Sequence, residues 1–547
     1  MACKYIFVTG GVVSGLGKGI TAAVLGGLLK ARGLKVRNQK FDPYINVDPA
    51  LMSPIQHGEI FVTEDGAETD LDIGHYERFT DVNLNAESDI TSGMIYRDVI
   101  QREREGGYNG GTVQVVPHII NEIKEHIFNI SRQDDTDVVI CEIGGTVGDM
   151  EGQPYIEAIR QVSYQVGHEN CIVIHVTLLP YLSKSRELKT KPTQHSVMRL
   201  LSYGIQPDIL VCRTEVPMDQ HIREKLALYC NMPSEAVIEN LDMDTVYELP
   251  LYFERQGLAR EVCKRLGLAQ FIEPKLGPWE QLTEAVHNSR GKVNVAITGK
   301  YNALPDAYYS VMEALEHACI HREKKLKLTW VDAENLEEKT EEEMQAIYQD
   351  VDAIIIPGGF GPRGMEGMIH AARYAREHQV PLLGIGLGMQ MMVVEAARHL
   401  ADIPLAHTDE CEHKCADIFY YAGLTHEQFS HIESIPFPDQ PMRRGSYPMK
   451  ILAGSRLHEI YGAEEVSERH HHRRELNLAY QTPLLQAGLV FSGTSPDGCL
   501  IEGIELPEHP FYIGLISHPE FKSRPLRPHP LFRAFIDAAI DNRKTRK

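Results

Sequence analysis

The sequence predicts an α/β fold of two doubly wound domains, and three observations carry that prediction. The run Lys4-Tyr5-Ile6-Phe7-Val8-Thr9-Gly10-Gly11 leads an apolar β-type segment into a glycine-rich turn closed by Lys18, and the amphipathic stretch 20–31 follows as a helix. Apolar β-rich runs at 137–143, 171–177 and 208–212 then alternate with helical stretches at 152–166 and 191–201, the pattern of a parallel sheet covered on both faces. At 268–291 the segment Glu273-Pro274-Lys275-Leu276-Gly277-Pro278 breaks this periodicity, and a new strand at 293–298 opens a second α/β domain. At 547 residues the chain is too long for one core. The expected division is a first domain over 1–268, a linker over 269–291 and a second domain over 292–547.

Each part of the opening element has a physical reason. The glycines Gly15, Gly17 and Gly19 let backbone N–H groups converge on phosphate oxygens, and Lys18 supplies a mobile cation. The helix beginning at Ile20 points its N-terminal dipole at the same anion. The motif is a variant, because five residues separate Gly11 from Gly17 and Gly19 stands where a magnesium-ligating Ser or Thr is usual. A metal here must be held by carboxylates from elsewhere in the chain.

Charge and composition narrow the partners. A net charge of −21 argues against nucleic acid, and no stretch approaches the roughly 20 apolar residues of a membrane helix. Ten cysteines without a CxxC pair, and no secretory apolar segment at the start, fit a reducing cytoplasm. Polyanionic ligands need local positive charge, and Lys18, Lys40, Lys189, Lys191 and Lys225 supply it in the first half.

Two acidic segments follow the phosphate cradle. Glu64-Asp65-Gly66-Ala67-Glu68-Thr69-Asp70-Leu71-Asp72 reads as a loop, and Glu142 closes a buried strand before Gly144-Gly145-Thr146-Val147-Gly148-Asp149. A carboxylate at a strand end beside a phosphate loop suits Mg²⁺, which takes oxygen ligands and bridges phosphates. A second basic segment, Lys189-Thr190-Lys191-Pro192-Thr193-Gln194, sits at an expected helix start, so two phosphorylated ligands are expected. The run His470-His471-His472 invites a metal reading, but adjacent residues on a strand or helix point apart and no carboxylate spacing supports it.

With Asp42-Pro43-Tyr44-Ile45-Asn46-Val47-Asp48-Pro49, Ser53-Pro54-Ile55-Gln56-His57-Gly58-Glu59 and the Glu142 and Lys189 segments, the chain resembles the CTP synthase family over nearly its whole length. The resemblance implies an amidoligase domain in which ATP phosphorylates the 4-oxygen of UTP and ammonia displaces the phosphate to give CTP. By position it implies that Gly15, Leu16, Gly17, Lys18, Gly19 and Ile20 bind ATP phosphates, with Leu241, Asp242 and Met243 at adenine. Asp72 and Glu142 would hold Mg²⁺, and Lys18 and Lys40 would act in catalysis. Ser14, Lys189, Thr190, Lys191, Pro192, Thr193, Gln194 and Lys225 would hold UTP, and Asp149, Met150 and Glu151 match the stretch associated with CTP. Homotetramers and filaments are further family tendencies.

The second half resembles a glutamine amidotransferase domain, which the family uses to release ammonia through a Cys-His-Glu triad. His518 and Glu520 match the triad's His and Glu, and Gly359, Leu387, Gly388, Met389, Gln390 and Glu410 match a glutamine pocket. The nucleophile is absent: where the family reads Gly-Ile-Cys-Leu-Gly, this chain reads Gly384-Ile385-Gly386-Leu387-Gly388. Further departures are Ile516-Ser517 before His518, Lys450 where an Arg would clamp the glutamine carboxylate, and Glu105, Gly107 and Asn109 in a loop linked to GTP activation. The expectation is an amidoligase acting on UTP or a close uridine nucleotide, with ammonia or another small amine as donor and an inactive glutaminase half. Three alternatives stay open: a nucleotide-binding pseudoenzyme that co-assembles with an active CTP synthase, a ligase fed by a separate glutaminase, and an ordinary CTP synthase carrying an inactivating Cys-to-Gly substitution.

Overall fold

The computed structural model describes residues 3–268, 272–411, 415–421 and 442–546, and the chain divides into two compact units, 1–51 with 69–283 and 52–68 with 284–547. Residues 269–271, where the expected linker begins, lie outside the described residues.

In the first unit, β1 (Lys4–Gly10) runs into α1 (Lys18–Ala31), and β2 (Val36–Asp42) returns. Next come α2 (Leu71–Thr80), β3 (Asp89–Thr91), α3 (Ser92–Arg104), α4 (Ile120–Ser131) and β4 (Val138–Ile143). The unit continues through α5 (Gln153–Val166), β5 (Cys171–Leu178), α6 (Lys191–Ser202), β6 (Ile209–Thr214) and β7 (Val237–Leu241). The seven strands order as β7-β6-β5-β1-β4-β2-β3 and pair in parallel throughout. Strands covered on both faces bury successive residues alike, which is why every residue of Val138–Ile143 and all but the last of Cys171–Leu178 are buried. The central β1 is flanked by strands of later sequence on both sides, so its carboxyl end is the topological switch point where open α/β sheets bind ligands.

The second unit starts with β8 (Lys292–Gly299), β9 (Lys325–Asp332), β10 (Ala353–Ile356) and β11 (Leu382–Ile385), which leads into α7 (Leu387–His399). It ends with β12 (Arg443–Ile451), β13 (Glu465–His472), β14 (Val490–Thr494), β15 (Ile501–Glu505) and β16 (Tyr512–Leu515). The sheet order is β9-β8-β10-β11-β16-β15-β14-β12-β13. Pairing is parallel from β9 to β16 and antiparallel from there to β13, so this sheet is mixed. Two apolar layers cover its faces, one built on α7 and one on Pro530–Thr545.

Two expectations change. The segment 52–68 was read with the first domain but packs within the second unit: Glu59 accepts from the Ser310 backbone N–H at 3.0 Å, and Arg469 donates to the Val62 carbonyl at 3.0 Å. Likewise the expected linker contains the helix Gly277–Asn288, whose Trp279 stacks on Phe79 with ring centroids 5.5 Å apart. Proline at 274 and 278 breaks the chain locally, but the apolar face that follows is buried like any core helix.

Candidate active sites

The first site lies at the carboxyl ends of β1, β4 and β2. Gly15 and Gly17 have φ of +72° and +84°, a backbone region that glycine enters without strain. Helix α1 has no side-chain cap and no acidic residue in its first turn, which leaves its N-terminal N–H groups to an anion. Lys18 is buried and donates to the Gly145 carbonyl at 2.9 Å, across the cradle from the Glu142 strand.

Gly19 has a specific reason to be glycine. A Cβ there would lie 2.1 Å from Asp72 Oδ1, so the space a Ser or Thr would fill belongs to a carboxylate. Asp72 stands in the first turn of α2, where the Asp70 side chain caps its N–H at 3.0 Å. Lys40, on β2, ion-pairs with Asp72 at 2.6 Å and Asp70 at 2.8 Å, with Asp42 at 3.5 Å. Burial opposes the Lys40 charge, but Asp42, Asp70, Asp72 and Glu142 outweigh it and hold the ammonium well above the usual lysine range. Glu142 accepts from the Tyr76 hydroxyl. Burial, then the charge of Asp72, pushes Glu142 up to about 7, while Lys40 keeps Asp72 below the usual carboxylate range against its own burial.

This donor set fits Mg²⁺. Asp72 takes the space where a hydroxyl ligand would otherwise sit, Glu142 lies close enough for its charge to be felt, and a divalent cation would let both ionise. The pair would supply two oxygens and leave the rest to phosphates and water, as Mg²⁺ prefers.

The remaining nucleotide positions fall into two groups. Leu16, Gly17, Ile20, Leu241, Asp242 and Met243 line one cleft beside the cradle. Arg213, which the sequence reading missed, joins them by donating to the Gly15 carbonyl and to Asp242 Oδ1, each at 2.9 Å. Its position at the end of β6 was the available signal. At the start of α6, Thr193 donates to the Leu178 carbonyl at 2.9 Å, and buried Gln194 donates to Thr190 Oγ1 at 3.1 Å. Lys191 and Pro192 open the helix, and Lys189 ion-pairs with Glu187, whose carboxyl Lys225 also helps to hold low. Asp149 accepts from Thr146 through N–H at 2.9 Å and Oγ1 at 2.7 Å, while Ser14, Met150 and Glu151 are exposed.

Of the acidic run 64–72, only Asp70 and Asp72 belong to this site. Glu64 pairs with Arg469 at 3.0 Å, and Glu68 pairs with Arg444 and with His471 at 2.7 Å, all within the second unit. The run is also not one loop, since α2 begins at Leu71.

The second site is a cleft in the second unit, lined among others by Gly359, Leu387, Gln390, Glu410, His518 and Glu520. Strand β11 passes through Gly386 into α7, and Gly386 takes φ +55° and ψ −114° while donating to the Leu515 carbonyl at 2.8 Å. His518 Nδ1 meets Glu520 Oε1 at 2.7 Å, which orients the ring with Nε2 toward the elbow. A Cβ on Gly386 would lie 3.0 Å from that Nε2. The frame of a Cys-His-Glu triad is therefore present without its nucleophile.

Five residues tied to this cleft by the sequence do not line it. Lys450 does not line it; its ammonium caps the Pro496 carbonyl at 2.5 Å on the exposed side of β12. Arg473 and Arg474 line the cleft instead, Arg474 reaching Glu410 at 3.0 Å. Met389 and Gly388 face the core: Met389 is fully buried, and a Cβ on Gly388 would lie 1.9 Å from the Ile356 carbonyl oxygen. Ile516 and Ser517 are fully buried and outside the cleft. Tyr301 also lines it, and the neighbouring Lys300 ammonium donates to the Gly361 carbonyl at 2.6 Å; burial brings that lysine down to about 8. Both lie just past the end of β8, where ligand residues are expected.

Among the described residues, His470, His471 and His472 belong to no group of three gathered ligand atoms. Each faces a carboxylate: Glu502 at 3.3 Å, Glu68 at 2.7 Å and Glu475 at 2.9 Å.

Residues 4–268 match the family model described as CTP synthase N-terminus, and residues 303–538 match glutamine amidotransferase class-I. A CTP synthase from Ruminiclostridium cellulolyticum is 53% identical over 541 residues, 99% of each chain. One from Carboxydothermus hydrogenoformans is 53% identical over 545 residues, again 99% of each. Among solved structures, the glutaminase domain of Trypanosoma brucei CTPS with bound acivicin is 31% identical, covering 46% of this chain and 94% of that one at a TM-score of 0.42. With two domain models and full-length relatives at this identity, the chain belongs to the CTP synthase family.

Proposed function

We propose that this chain is an ATP-dependent ligase that aminates C4 of UTP with ammonia and does not draw that ammonia from glutamine in its own second domain. The observation that carries the reading is Gly386: at the elbow facing His518, no atom can form the thioester that glutamine hydrolysis requires. The ligase half keeps its chemistry. Lys18 and the N–H groups of α1 bind and orient the ATP phosphates, while Lys189, Lys191 and Lys225 supply positive charge for a second triphosphate. Asp72 and Glu142 would hold Mg²⁺, which supplies charge neutralisation for phosphoryl transfer. Lys40 stays protonated among its four carboxylates and places a fixed positive charge beside that centre. Phosphorylation turns the uracil 4-oxygen into a leaving group, and ammonia then adds at C4.

The test compares ammonium and glutamine at matched nitrogen with ATP, Mg²⁺ and UTP, with products identified by mass. Ammonium-dependent CTP with no glutamine-dependent CTP is the expected result. Glutamine-dependent product above ammonia contamination refutes the reading, and no product with either donor favours a nucleotide-binding pseudoenzyme.

A further inference from the structure

Helices α3 and α4 bring together three ligating side chains that neither site above uses. One donor atom each from Asp98, Glu122 and His126 lie within 4.8 Å of one another, and this is the one such group of three among the described residues. Glu122 and His126 are one turn apart on α4, and Asp98 comes from α3.

The polar atoms at this point are arranged as for a cation. Glu122 is 6% exposed, and its Oε2 makes no hydrogen bond beyond an ion pair with Arg102. His126 Nε2 is likewise buried without a hydrogen-bond partner. The other ring nitrogen, Nδ1, meets Glu87 Oε2 at 3.2 Å. A carboxylate on Nδ1 fixes the tautomer that leaves the Nε2 lone pair for a metal and raises its basicity, the usual second-shell arrangement of a ligating histidine. What holds Glu122 now is Arg102, whose guanidinium lies 3.0 Å from Oε2 on a side chain 45% exposed. That arginine can leave for solvent with little loss of packing.

We propose that Asp98, Glu122 and His126 form a binding site for a divalent first-row transition metal such as Zn²⁺, with Arg102 as the resident cation that the metal displaces. One imidazole and two carboxylates suit Zn²⁺ or Mn²⁺ better than Mg²⁺, which rarely takes nitrogen. Three protein ligands leave a position for water. Arg102 stands in the last turn of α3, and its carbonyl accepts from the Gly107 N–H at 2.9 Å, so its release would be felt in the glycine-rich loop that follows.

The experiment uses the full chain, stripped with EDTA and free of nucleotide. It is titrated with Zn²⁺ by calorimetry and with Co²⁺ by visible absorption. The expected result is one site per chain that His126→Gln weakens at least about tenfold, with loss of the Co²⁺ band. Arg102→Ala alters an exposed side chain and should tighten binding severalfold, a gain that misfolding cannot produce. Unsaturated binding at millimolar metal overturns the proposal, as does a His126→Gln chain that binds like the parent, or an Arg102→Ala chain that binds no tighter.

Discussion

Replacing Gly386 by Cys tests the second site most directly, and its energetics can be worked from the geometry. At φ +55° and ψ −114° a residue with a Cβ is strained by about 1–3 kcal/mol. The new Cβ also stands 3.0 Å from His518 Nε2 and 3.5 Å from the Gly358 Cα, so the imidazole must yield slightly. The second unit should lose a few degrees of thermal midpoint. In return the thiol meets a base already oriented by Glu520 at 2.7 Å. The departures at Ile516, Ser517 and Lys450 had suggested a disabled pocket, but none of the three lines the cleft, whereas Gln390, Glu410, Arg473 and Arg474 do. Gly386→Cys should therefore release glutamate from glutamine at least about 100-fold faster than the parent chain, since nucleophile removal alone accounts for most of such a rate. Gly386→Ala is the control, matching the strain without the thiol. If the Cys and Ala variants fold alike and are equally inactive, the cleft does not orient glutamine and the reasoning fails.

Three other outcomes follow from the geometry. Asp72→Asn and Glu142→Gln should each lower ammonium-dependent CTP formation by at least about 100-fold while leaving the fold intact by circular dichroism, because each would remove one of the two carboxylates proposed to hold Mg²⁺; a near-normal rate in either would remove that residue from the proposed metal site. Gly19→Ala should raise the Mg²⁺ concentration needed for half-maximal rate, since its Cβ would drive Asp72 Oδ1 from a point 2.1 Å away, and an unchanged Mg²⁺ titration would refute this. Glu316→Gln tests a half-buried carboxyl that desolvation, then Glu313, pushes up to about 7. A raised acid pKa favours the folded state only while the group is protonated, so its penalty is absent below the unfolded value and grows as pH rises to about 7. The Gln variant should thus melt higher than the parent at pH 8, by the equivalent of about 1–3 kcal/mol, and equally at pH 4; equal melting at both pH values would refute it.

What the sequence revealed follows from how local each signal is. The cradle from Gly10 to Gly19 and the strand ending at Glu142 are written in consecutive residues, so the element types and the residues at their ends could be read directly. Docking of 52–68 could not, because the partners that hold it, Ser310, Arg444 and Arg469, lie hundreds of positions away. The same distance hid the fate of Glu64 and Glu68, which read as part of one acidic loop with Asp72 and instead pair with Arg469, Arg444 and His471. Lys450 was misplaced by a loose match in a strand, where one residue of slip exchanges the two faces. Arg473 and Arg474 were overlooked because the three histidines before them drew the metal reading.

The pattern of change at the second site separates two histories of Gly386. A domain long released from glutamine hydrolysis has no reason to keep a His-Glu pair at 2.7 Å, a glycine-lined loop against it, or a charged cleft with Glu410 and Arg474 joined at 3.0 Å. Such buried polar groups are costly once unused, and drift should have replaced them with apolar residues. Here they persist, and a Cβ on Gly358 would lie 2.7 Å from His518 Cε1, so that glycine still makes room for the ring. Of the departures, Ile516, Ser517 and Lys450 lie outside the cleft, and only those at Glu105, Gly107 and Asn109 still speak for an older loss. The geometry thus moves the weight toward a single recent change at Gly386, or toward retention of the cleft for binding without hydrolysis. Glutamine binding to the parent chain by calorimetry, compared with Arg473→Ala, distinguishes them: binding that the variant loses marks a cleft kept for its ligand, and recovery of hydrolysis in Gly386→Cys marks a site one atom group from working.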